Sequence, residues 1–347
     1  MEIAVYQFEL ALRYPFAISR HTYHSIKTMI IAISTGSAIG YGEATTNPYY
    51  QITEDKLLDS FSQAAEYLKD YDFRDPEKLW VDLSPVLKNN SFAQSAIDCA
   101  AHDLFYKLKG RSFKSRWNIT YEKYPLTSYT LGIGTIDEIK KKIIDLEWPI
   151  YKIKVGGKND GSLVQEIREF SNAVLCIDAN CSWQKDDAQQ MTDELLKAGV
   201  EFIEQPFKAD EYAETFELRQ KSDIPIMADE SCRTVEDIEK CAGIFDGINI
   251  KLAKCGGLTP ALKMVDLARR AGLKIMIGCM TETTVGISAA AQLLPFVDFA
   301  DLDGPLLLSE DVAMGLTYQK GCVVPGMTNG LGFRFKHQKF STELPYR

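Results

Sequence analysis

Hydrophobic positions in the first part of the chain follow two different periods. Alternating apolar residues predict strands, and apolar residues three and four apart predict helices. The strands are expected at 3–12, 28–34 and 39–43, and the helices at 54–69 and 92–108. The polar stretch 19–27 is expected to be a loop. Strands followed by helices are typical of an α+β module, which we place at residues 1–118.

After residue 125 the pattern changes to short β-rich runs that alternate with helical segments. The eight runs lie at 126–131, 150–155, 174–178, 202–204, 225–229, 247–251, 274–278 and 296–302. A β-run repeating about every 25 residues predicts an α/β fold, a (β/α)7β TIM-like barrel, rather than a solenoid. A doubly wound open sheet is the main alternative, but no glycine fingerprint opens its first helix.

The barrel is expected at residues 119–320. Residues 321–347 continue without a barrel pattern, and we expect this tail to return to the amino-terminal module and complete a capping domain. The chain has 46% hydrophobic residues and a formal net charge of −9, with its basic residues scattered. This composition disfavours nucleic acid and anionic membranes as partners.

The cysteines and the amino terminus suggest a location. The eight cysteines are dispersed and form no CxxC pair, which favours reduced, buried thiols. No apolar run approaches the roughly 18 residues of a spanning helix, and the start of the chain does not resemble a signal peptide. We therefore expect a cytoplasmic protein.

Charged residues close the otherwise apolar barrel runs. They are Lys154, Asp178, Glu204, Asp229 and Lys251, with Asp301 and Asp303 at the eighth run. Because the carboxyl ends of barrel strands form the active-site face, these side chains are expected to meet at one mouth. No barrel run contains histidine, and no nucleophile elbow or P-loop is present.

Three of these charged residues form a candidate metal site. Asp178, Glu204 and Asp229 end successive runs, and their hard oxygen atoms suit Mg²⁺, with Mn²⁺ as a second option. Zinc is less suitable because no histidine or cysteine stands at these positions. The alternative is that each carboxylate caps a helix or pairs with a surface base, which the regular spacing disfavours.

Three lysines flank the candidate metal site. Lys152 and Lys154 alternate across Ile153 and therefore share the inward face of one strand. Side by side and partly desolvated, each is expected to lower the pKa of the other toward neutrality. Lys251 lies on the other side of the pocket, so two amines could remove and return a proton on opposite faces of one carbon. Salt bridges to the acids are the alternative role.

These motifs resemble those of the enolase superfamily, and within it the muconate-lactonising subgroup. The matching segments are Lys152-Ile153-Lys154, Asp178-Ala179-Asn180, Glu204-Gln205-Pro206, Asp229-Glu230-Ser231, Asn249-Ile250-Lys251, Gly256-Gly257 and the early Gly40-Tyr41-Gly42-Glu43-Ala44. The likeness covers nearly the whole chain. Lysine bases and Mg²⁺-stabilised ene-diolates are already known chemistry for this superfamily.

The segment Asp301-Leu302-Asp303 resembles the Asp-x-Asp of dipeptide epimerases, including the L-Ala-D/L-Glu type, where the pair receives the substrate's α-ammonium. The resemblance implies that Mg²⁺ and Lys152 bind the dipeptide's carboxylate. Lys154 and Lys251 would then invert the Cα of its second residue through an ene-diolate.

Substrate choice is less fixed by the sequence. In Ala-Glu epimerases the resemblance implies an arginine on a capping-domain loop, beside the glutamate side chain. Alignment of this loop places His21 at that position and Arg20 one residue earlier, which departs from the pattern. Thr130 and the pair Tyr49 and Tyr50 are the other candidate substrate contacts. The tyrosines either favour an apolar substrate residue or only seal the pocket.

Other functions stay open at this point. An o-succinylbenzoate synthase or a muconate-type cycloisomerase would use the same metal and lysines without needing Asp301 and Asp303. A binding protein could keep the barrel without catalysis, and a lyase or aldolase could use a lysine Schiff base. A dipeptide is the expected small-molecule partner, and a homo-oligomer is compatible with the sequence.

Overall fold

A computed structural model describes residues 1–18, 21–36, 38–116, 124–157 and 160–336. Its first part is an antiparallel sheet in the order β1 (Glu2–Ile18), β2 (His21–Thr35) and β3 (Ala38–Thr45). Against it lie α1 (Glu54–Leu68), α2 (Pro76–Leu87) and α3 (Ser91–Leu108). The side chains of Thr53, Asp75 and Asn90 cap these helices by accepting hydrogen bonds from backbone N–H groups three residues onward.

The hairpin of β1 and β2 is longer than the sequence pattern indicated. The prediction of a loop at 19–27 is wrong from residue 21 onward, because β2 begins at His21 and pairs Thr22 with Ala17 and Tyr23 with Phe16. Polar residues there hide the alternation, since one side of this ribbon faces solvent. The backbone N–H of Ile133 donates to the carbonyl of Ala17 at 2.8 Å, so the hairpin reaches the barrel.

Eight parallel strands form the barrel and follow one another around it in chain order, which confirms the α/β barrel prediction. They are β4 (Tyr129–Leu131), β5 (Ile150–Lys154), β6 (Val174–Asp178), β7 (Val200–Glu204), β8 (Ile226–Ala228), β9 (Gly247–Lys251), β10 (Lys274–Gly278) and β11 (Phe299–Asp301). The N–H of Ser128 donates to the carbonyl of Ala300 at 3.0 Å, which brings the first and last strands together. An open doubly wound sheet would instead reverse its strand order at a switch point.

Helices connect the barrel strands on the outside. They are α4 (Ile136–Leu146), α5 (Asp160–Phe170), α6 (Lys185–Lys197), α7 (Tyr212–Arg219), α8 (Asp237–Cys241), α9 (Leu252–Cys255), α10 (Leu258–Arg270), α11 (Thr284–Ala290) and, after the last strand, α12 (Gly304–Leu307). Among the described residues, no helix combines the length and apolar character that crossing a bilayer requires.

A layer of large side chains fills the barrel below its carboxyl end. Cys176, Phe202, Met227 and Met276 form this buried cluster. Cys176, Phe202 and Met227 lie two residues before Asp178, Glu204 and Asp229, respectively. Since side chains two residues apart share a face, those acids also point inward, above an apolar floor.

Short strands follow the barrel and return the chain to its beginning. They are β12 (Ala313–Met314), β13 (Thr317–Gln319), β14 (Cys322–Val324) and β15 (Arg334–Phe335). The N–H of Leu331 donates to the Asp103 carboxylate at 2.8 Å, and the rings of Phe335 and Tyr41 lie 4.8 Å apart. The described part of the tail therefore packs against the first sheet and α3.

Buried carboxylates of the amino-terminal part also contact the barrel directly. Glu43 accepts hydrogen bonds from the N–H of Thr283 at 3.0 Å and of Gly286 at 2.9 Å. Asp98 accepts one from the N–H of Thr259 at 2.9 Å. These contacts seat the sheet and α3 over the carboxyl ends of the barrel strands.

Candidate active site

The charged strand ends stand at one height around the barrel mouth. Lys154 pairs in register with Asp178, and Asp178 with Glu204. A cavity opens above them. The barrel residues predicted for the site that line it are Thr130, Lys152, Lys154, Asp229, Lys251, Asp301 and Asp303, and from the amino-terminal part Tyr49 and Tyr50 join them. Asp178 and Glu204 lie beneath this lining and are fully buried.

Ammonium groups and carboxylates alternate in the site. Lys154 Nζ lies 2.5 Å from Asp178 Oδ2, and Lys251 Nζ lies 2.7 Å from Asp229 Oδ2. Lys152 pairs with Asp301, and its Nζ is also 3.7 Å from Asp178 Oδ2 and 3.5 Å from Glu204 Oε2. One ammonium group thus touches carboxylates from three strands, which shows how closely those strand ends approach.

The expected lowering of the Lys152 pKa is wrong. Burial disfavours the charge of Lys152, but the carboxylates of Asp301, Glu204 and Asp178 outweigh it and raise its pKa. For Lys251, burial is again the largest single influence, but the carboxylates of Asp229, Glu204 and Asp178 together outweigh it and raise the pKa. The sequence pattern showed the neighbouring lysine on the same strand, whereas the carboxylates come from other strands.

Glu204 is a buried carboxylate whose two oxygen atoms differ in their partners. Its Oε1 accepts a 2.6 Å hydrogen bond from Asn249 Nδ2, but its buried Oε2 has no hydrogen-bond partner. Burial and the nearby Asp178 raise its pKa to about 7. A buried carboxylate oxygen without a donor is costly for the fold unless a cation neutralises it.

The donor set fits a divalent cation in its chemistry. Asp178, Glu204 and Asp229 offer hard oxygen atoms at the ends of adjacent strands, above an apolar floor. Within the part of the chain that the structure describes, no three acidic, histidine or cysteine side chains already converge as a ready-made metal site. The reason is visible in the contacts, since lysines hold Asp178 and Asp229.

Asp301 and Asp303 line the cavity from the end of β11 and the loop that follows it. Ser128 Oγ donates to Asp301 Oδ1 at 2.7 Å, and the N–H of Thr130 donates to Asp303 Oδ2 at 2.6 Å. Burial, together with the negative charge of Asp301, raises the pKa of Asp303 to about 6. Asp301 is engaged by Lys152, so Asp303 is the carboxylate of this pair better placed to receive a cationic group of a ligand.

The predicted specificity residues differ in where they lie. Tyr49 and Tyr50 line the cavity with their rings 4.8 Å apart. His21 is exposed, packs edge-on against Tyr23 at 4.5 Å and does not line the cavity. Arg20 lies outside the described residues.

Lys254 is a site residue that sequence reasoning missed. It is 1% exposed, and its Nζ donates to Asp229 Oδ1 and to the Asp229 carbonyl, both at 2.5 Å. It also donates to the carbonyls of Cys232 at 2.9 Å and Asn249 at 3.0 Å. Burial would raise the pKa of Asp229, but Lys251 and Lys254 outweigh burial and lower it. The available signal was a second lysine three residues after Lys251, in an otherwise apolar segment.

Replacing Lys254 by methionine is expected to lower the free energy of unfolding by about 3–5 kcal/mol, because one side of a buried charge pair is lost. Urea unfolding of the purified variant measures this difference. Lys240→Met is the matched control, since Lys240 is exposed and pairs with Asp237 at the surface. Equal unfolding midpoints for both variants would contradict a supporting role for Lys254.

Family models match both parts of the chain. Residues 1–115 match the model described as mandelate racemase/muconate lactonizing enzyme, N-terminal domain. Residues 135–339 match the model described as enolase C-terminal domain-like.

Individual relatives are similar over nearly their full lengths. An L-Ala-D/L-amino acid epimerase of Flavobacterium johnsoniae is 44% identical over 96% of this chain and 99% of its own. An L-Ala-D/L-Glu epimerase of Bacteroides thetaiotaomicron is 36% identical over 96% of this chain and 87% of its own. The crystal structure of a dipeptide epimerase from Cytophaga hutchinsonii, complexed with Mg and the dipeptide D-Ala-L-Val, superposes with a TM-score of 0.92 at 28% identity, covering 98% of this chain and 96% of that one.

Proposed function

Because the chain belongs to the mandelate racemase/muconate lactonizing enzyme family of the enolase superfamily, we propose that it is a Mg²⁺-dependent dipeptide epimerase, an isomerase that inverts the Cα of the second residue. One observation carries the proposal: Lys154 and Lys251 line the same cavity from β5 and β9, four strands apart in an eight-stranded barrel. The relatives named as epimerases, and the solved structure with Mg and a dipeptide, support it.

The two lysines act on opposite faces of the substrate. Strands four positions apart in a barrel of eight lie across from each other, so a Cα between Lys154 and Lys251 is approached from both sides. In its neutral form, one amine removes the α-proton. The other, as an ammonium, returns a proton to the opposite face of the resulting ene-diolate, and the configuration is inverted.

The carboxylate of the dipeptide binds beside Lys152 and the three proposed metal ligands. Lys152 supplies an ammonium group there, and Asp178, Glu204 and Asp229 would hold Mg²⁺. Mn²⁺ accepts the same oxygen ligands. When bound, the cation supplies positive charge beside the carboxylate, where negative charge accumulates once the α-proton has left.

The α-ammonium of the dipeptide binds at Asp301 and Asp303. This pair favours a dipeptide over the substrates of o-succinylbenzoate synthases and cycloisomerases, which have no such cation. Thr130 keeps Asp303 in place through its backbone N–H. In this assignment residues 1–118 form the capping domain, 119–320 the catalytic barrel, and 321–347 the segment that returns to the cap.

Deuterium exchange tests the proposal. In D₂O with Mg²⁺, L,L-dipeptides should gain one deuterium at the Cα of the second residue and yield the L,D epimer. Asp303→Asn should reduce kcat/KM about 100-fold, because the ammonium loses a charged partner in a buried site. Asparagine can still accept the bond from Thr130, so the fold is preserved.

The rival functions predict different outcomes. A cycloisomerase or an o-succinylbenzoate synthase would leave every dipeptide unlabelled and would be insensitive to Asp303→Asn with its own substrate. A Schiff-base enzyme would be trapped by borohydride with a carbonyl substrate. Either result, obtained with folded protein loaded with Mg²⁺, would replace the epimerase assignment.

A further inference from the structure

We propose that the capping domain selects dipeptides whose second residue is apolar, through a wall formed by Phe16, Ile18, Tyr23 and Ile26. This inference rests on the proposed function and names its substrate class. The four side chains line the cavity from the β1–β2 hairpin, opposite the charged ends of the barrel strands.

The geometry of the hairpin explains how it forms a wall. Phe16 and Ile18 are two residues apart on β1 and share one face, and Tyr23 is paired directly with Phe16 on β2. Ala17 and Thr22, which pair with each other, point to the opposite face. The carbonyl of Ala17 accepts the 2.8 Å bond from Ile133, so the wall is attached to the barrel loop that follows β4.

Tyr49 and Tyr50 line another side of the cavity, beside the polar Thr46 and Asn47. The ring of Tyr50 packs against Tyr49 at 4.8 Å and against Phe92 at 5.6 Å. The guanidinium of Arg233 stacks on the Tyr50 ring at 4.9 Å and does not line the cavity. Arg233 thus packs on Tyr50 and, in this position, does not reach a substrate side chain in the cavity.

Charge makes the cavity unsuitable for an acidic second residue. Among the described residues, the cationic side chains that line it are Lys152, Lys154 and Lys251. Each of them is paired with a carboxylate of the barrel. Counting only the residues that the structure describes, a glutamate side chain would therefore meet an apolar wall and no unpaired cation, and burying an unpaired carboxylate is strongly unfavourable.

The wall predicts an order of substrates. For the full-length protein with Mg²⁺ in D₂O, kcat/KM for Cα exchange should be about 100-fold higher with L-Ala-L-Leu or L-Ala-L-Phe than with L-Ala-L-Glu, since the charged side chain loses its hydration. The kcat/KM for L-Ala-L-Lys should be about as low as that for L-Ala-L-Glu. Faster exchange with either charged dipeptide would overturn the inference.

A cationic side chain introduced into the wall should change the order of substrate preference. Ile18→Arg is expected to reduce exchange with L-Ala-L-Leu about tenfold and to raise exchange with L-Ala-L-Glu by a similar factor, because the guanidinium can pair with the side-chain carboxylate. Thr22→Arg is the matched control, since it adds the same charge on the opposite face of the hairpin. Identical behaviour of the two variants would show that the wall does not contact the substrate.

Two further outcomes separate the inference from the proposed function. If L-Ala-L-Glu is the preferred substrate and Arg20→Ala removes that preference, Arg20 rather than the apolar wall sets specificity, and the inference is wrong while the epimerase assignment stands. If no member of the panel exchanges, the epimerase assignment itself fails.

Discussion

Replacing Lys154 or Lys251 by alanine should stop conversion between the two epimers of a dipeptide, with a rate at least about 10³-fold below that of the unmodified protein. Inversion needs a base on one face of Cα and an acid on the other. With one lysine missing, only half of that pair remains. The interconversion is measured by separating the epimers chromatographically over time.

The two variants should also differ from each other in D₂O. In Lys154→Ala, Lys251 can still exchange the α-proton of the epimer that presents its hydrogen to β9. In Lys251→Ala, Lys154 should exchange the other epimer only. This opposite pattern follows from the positions of β5 and β9 across the barrel. Loss of one positive charge from the cavity would by itself affect both epimers alike.

A surface lysine provides the control for these variants. Lys185 is exposed and pairs with Glu217 at 2.9 Å, so Lys185→Ala should behave as the unmodified protein. Circular dichroism establishes that each variant is folded. If either active-site variant converts epimers within tenfold of the unmodified rate, the two-base assignment is wrong.

Replacing Glu204 by glutamine should weaken Mg²⁺ binding by about 100-fold or more, because one of the three proposed charged oxygen ligands becomes neutral. Calorimetric titration of the protein with Mg²⁺ reads this directly, without any substrate. Glutamine retains the shape of the side chain and can still accept the bond from Asn249. Epimerisation should fall at least as far as the metal affinity.

Glu201 offers a control on the same strand. It is exposed near the start of β7, whereas Glu204 is buried at its end. Glu201→Gln removes the same charge at a distance from the proposed ligands and should leave Mg²⁺ affinity unchanged. If Glu204→Gln bound Mg²⁺ as tightly as Glu201→Gln does, Glu204 would not be a metal ligand.

The barrel could be predicted because its signals are local. The strands Val174–Asp178, Gly247–Lys251 and Lys274–Gly278 have the bounds that the apolar runs indicated. A charged residue after an apolar run is visible in a single sequence, and parallel topology brings such ends together. The candidate site residues were chosen from this register.

Features that depend on distant neighbours could not be predicted in the same way. Asp301 pairs with Lys152 across 149 residues of sequence, and this contact helps to reverse the expected direction of the Lys152 pKa. Lys254 lies in the four-residue helix α9, too short to show a period. The first residues of β2 could not be recognised as a strand because polar side chains interrupt the alternation there.

The contacts between the capping domain and the barrel have a consequence for how this enzyme can diversify. Glu43 and Asp98 supply the acceptors, and the donors across the junction include the backbone N–H groups of Thr283, Gly286 and Thr259, together with the hydroxyl groups of the two threonines. Nearly every amino acid offers a backbone N–H, so a substitution at either threonine keeps the main-chain bond and loses only the hydroxyl donor. The junction therefore constrains the main-chain path of the barrel at these positions more than the barrel sequence. A cap that keeps these two acids can exchange its substrate-facing hairpin, by mutation or recombination, without a new interface having to evolve.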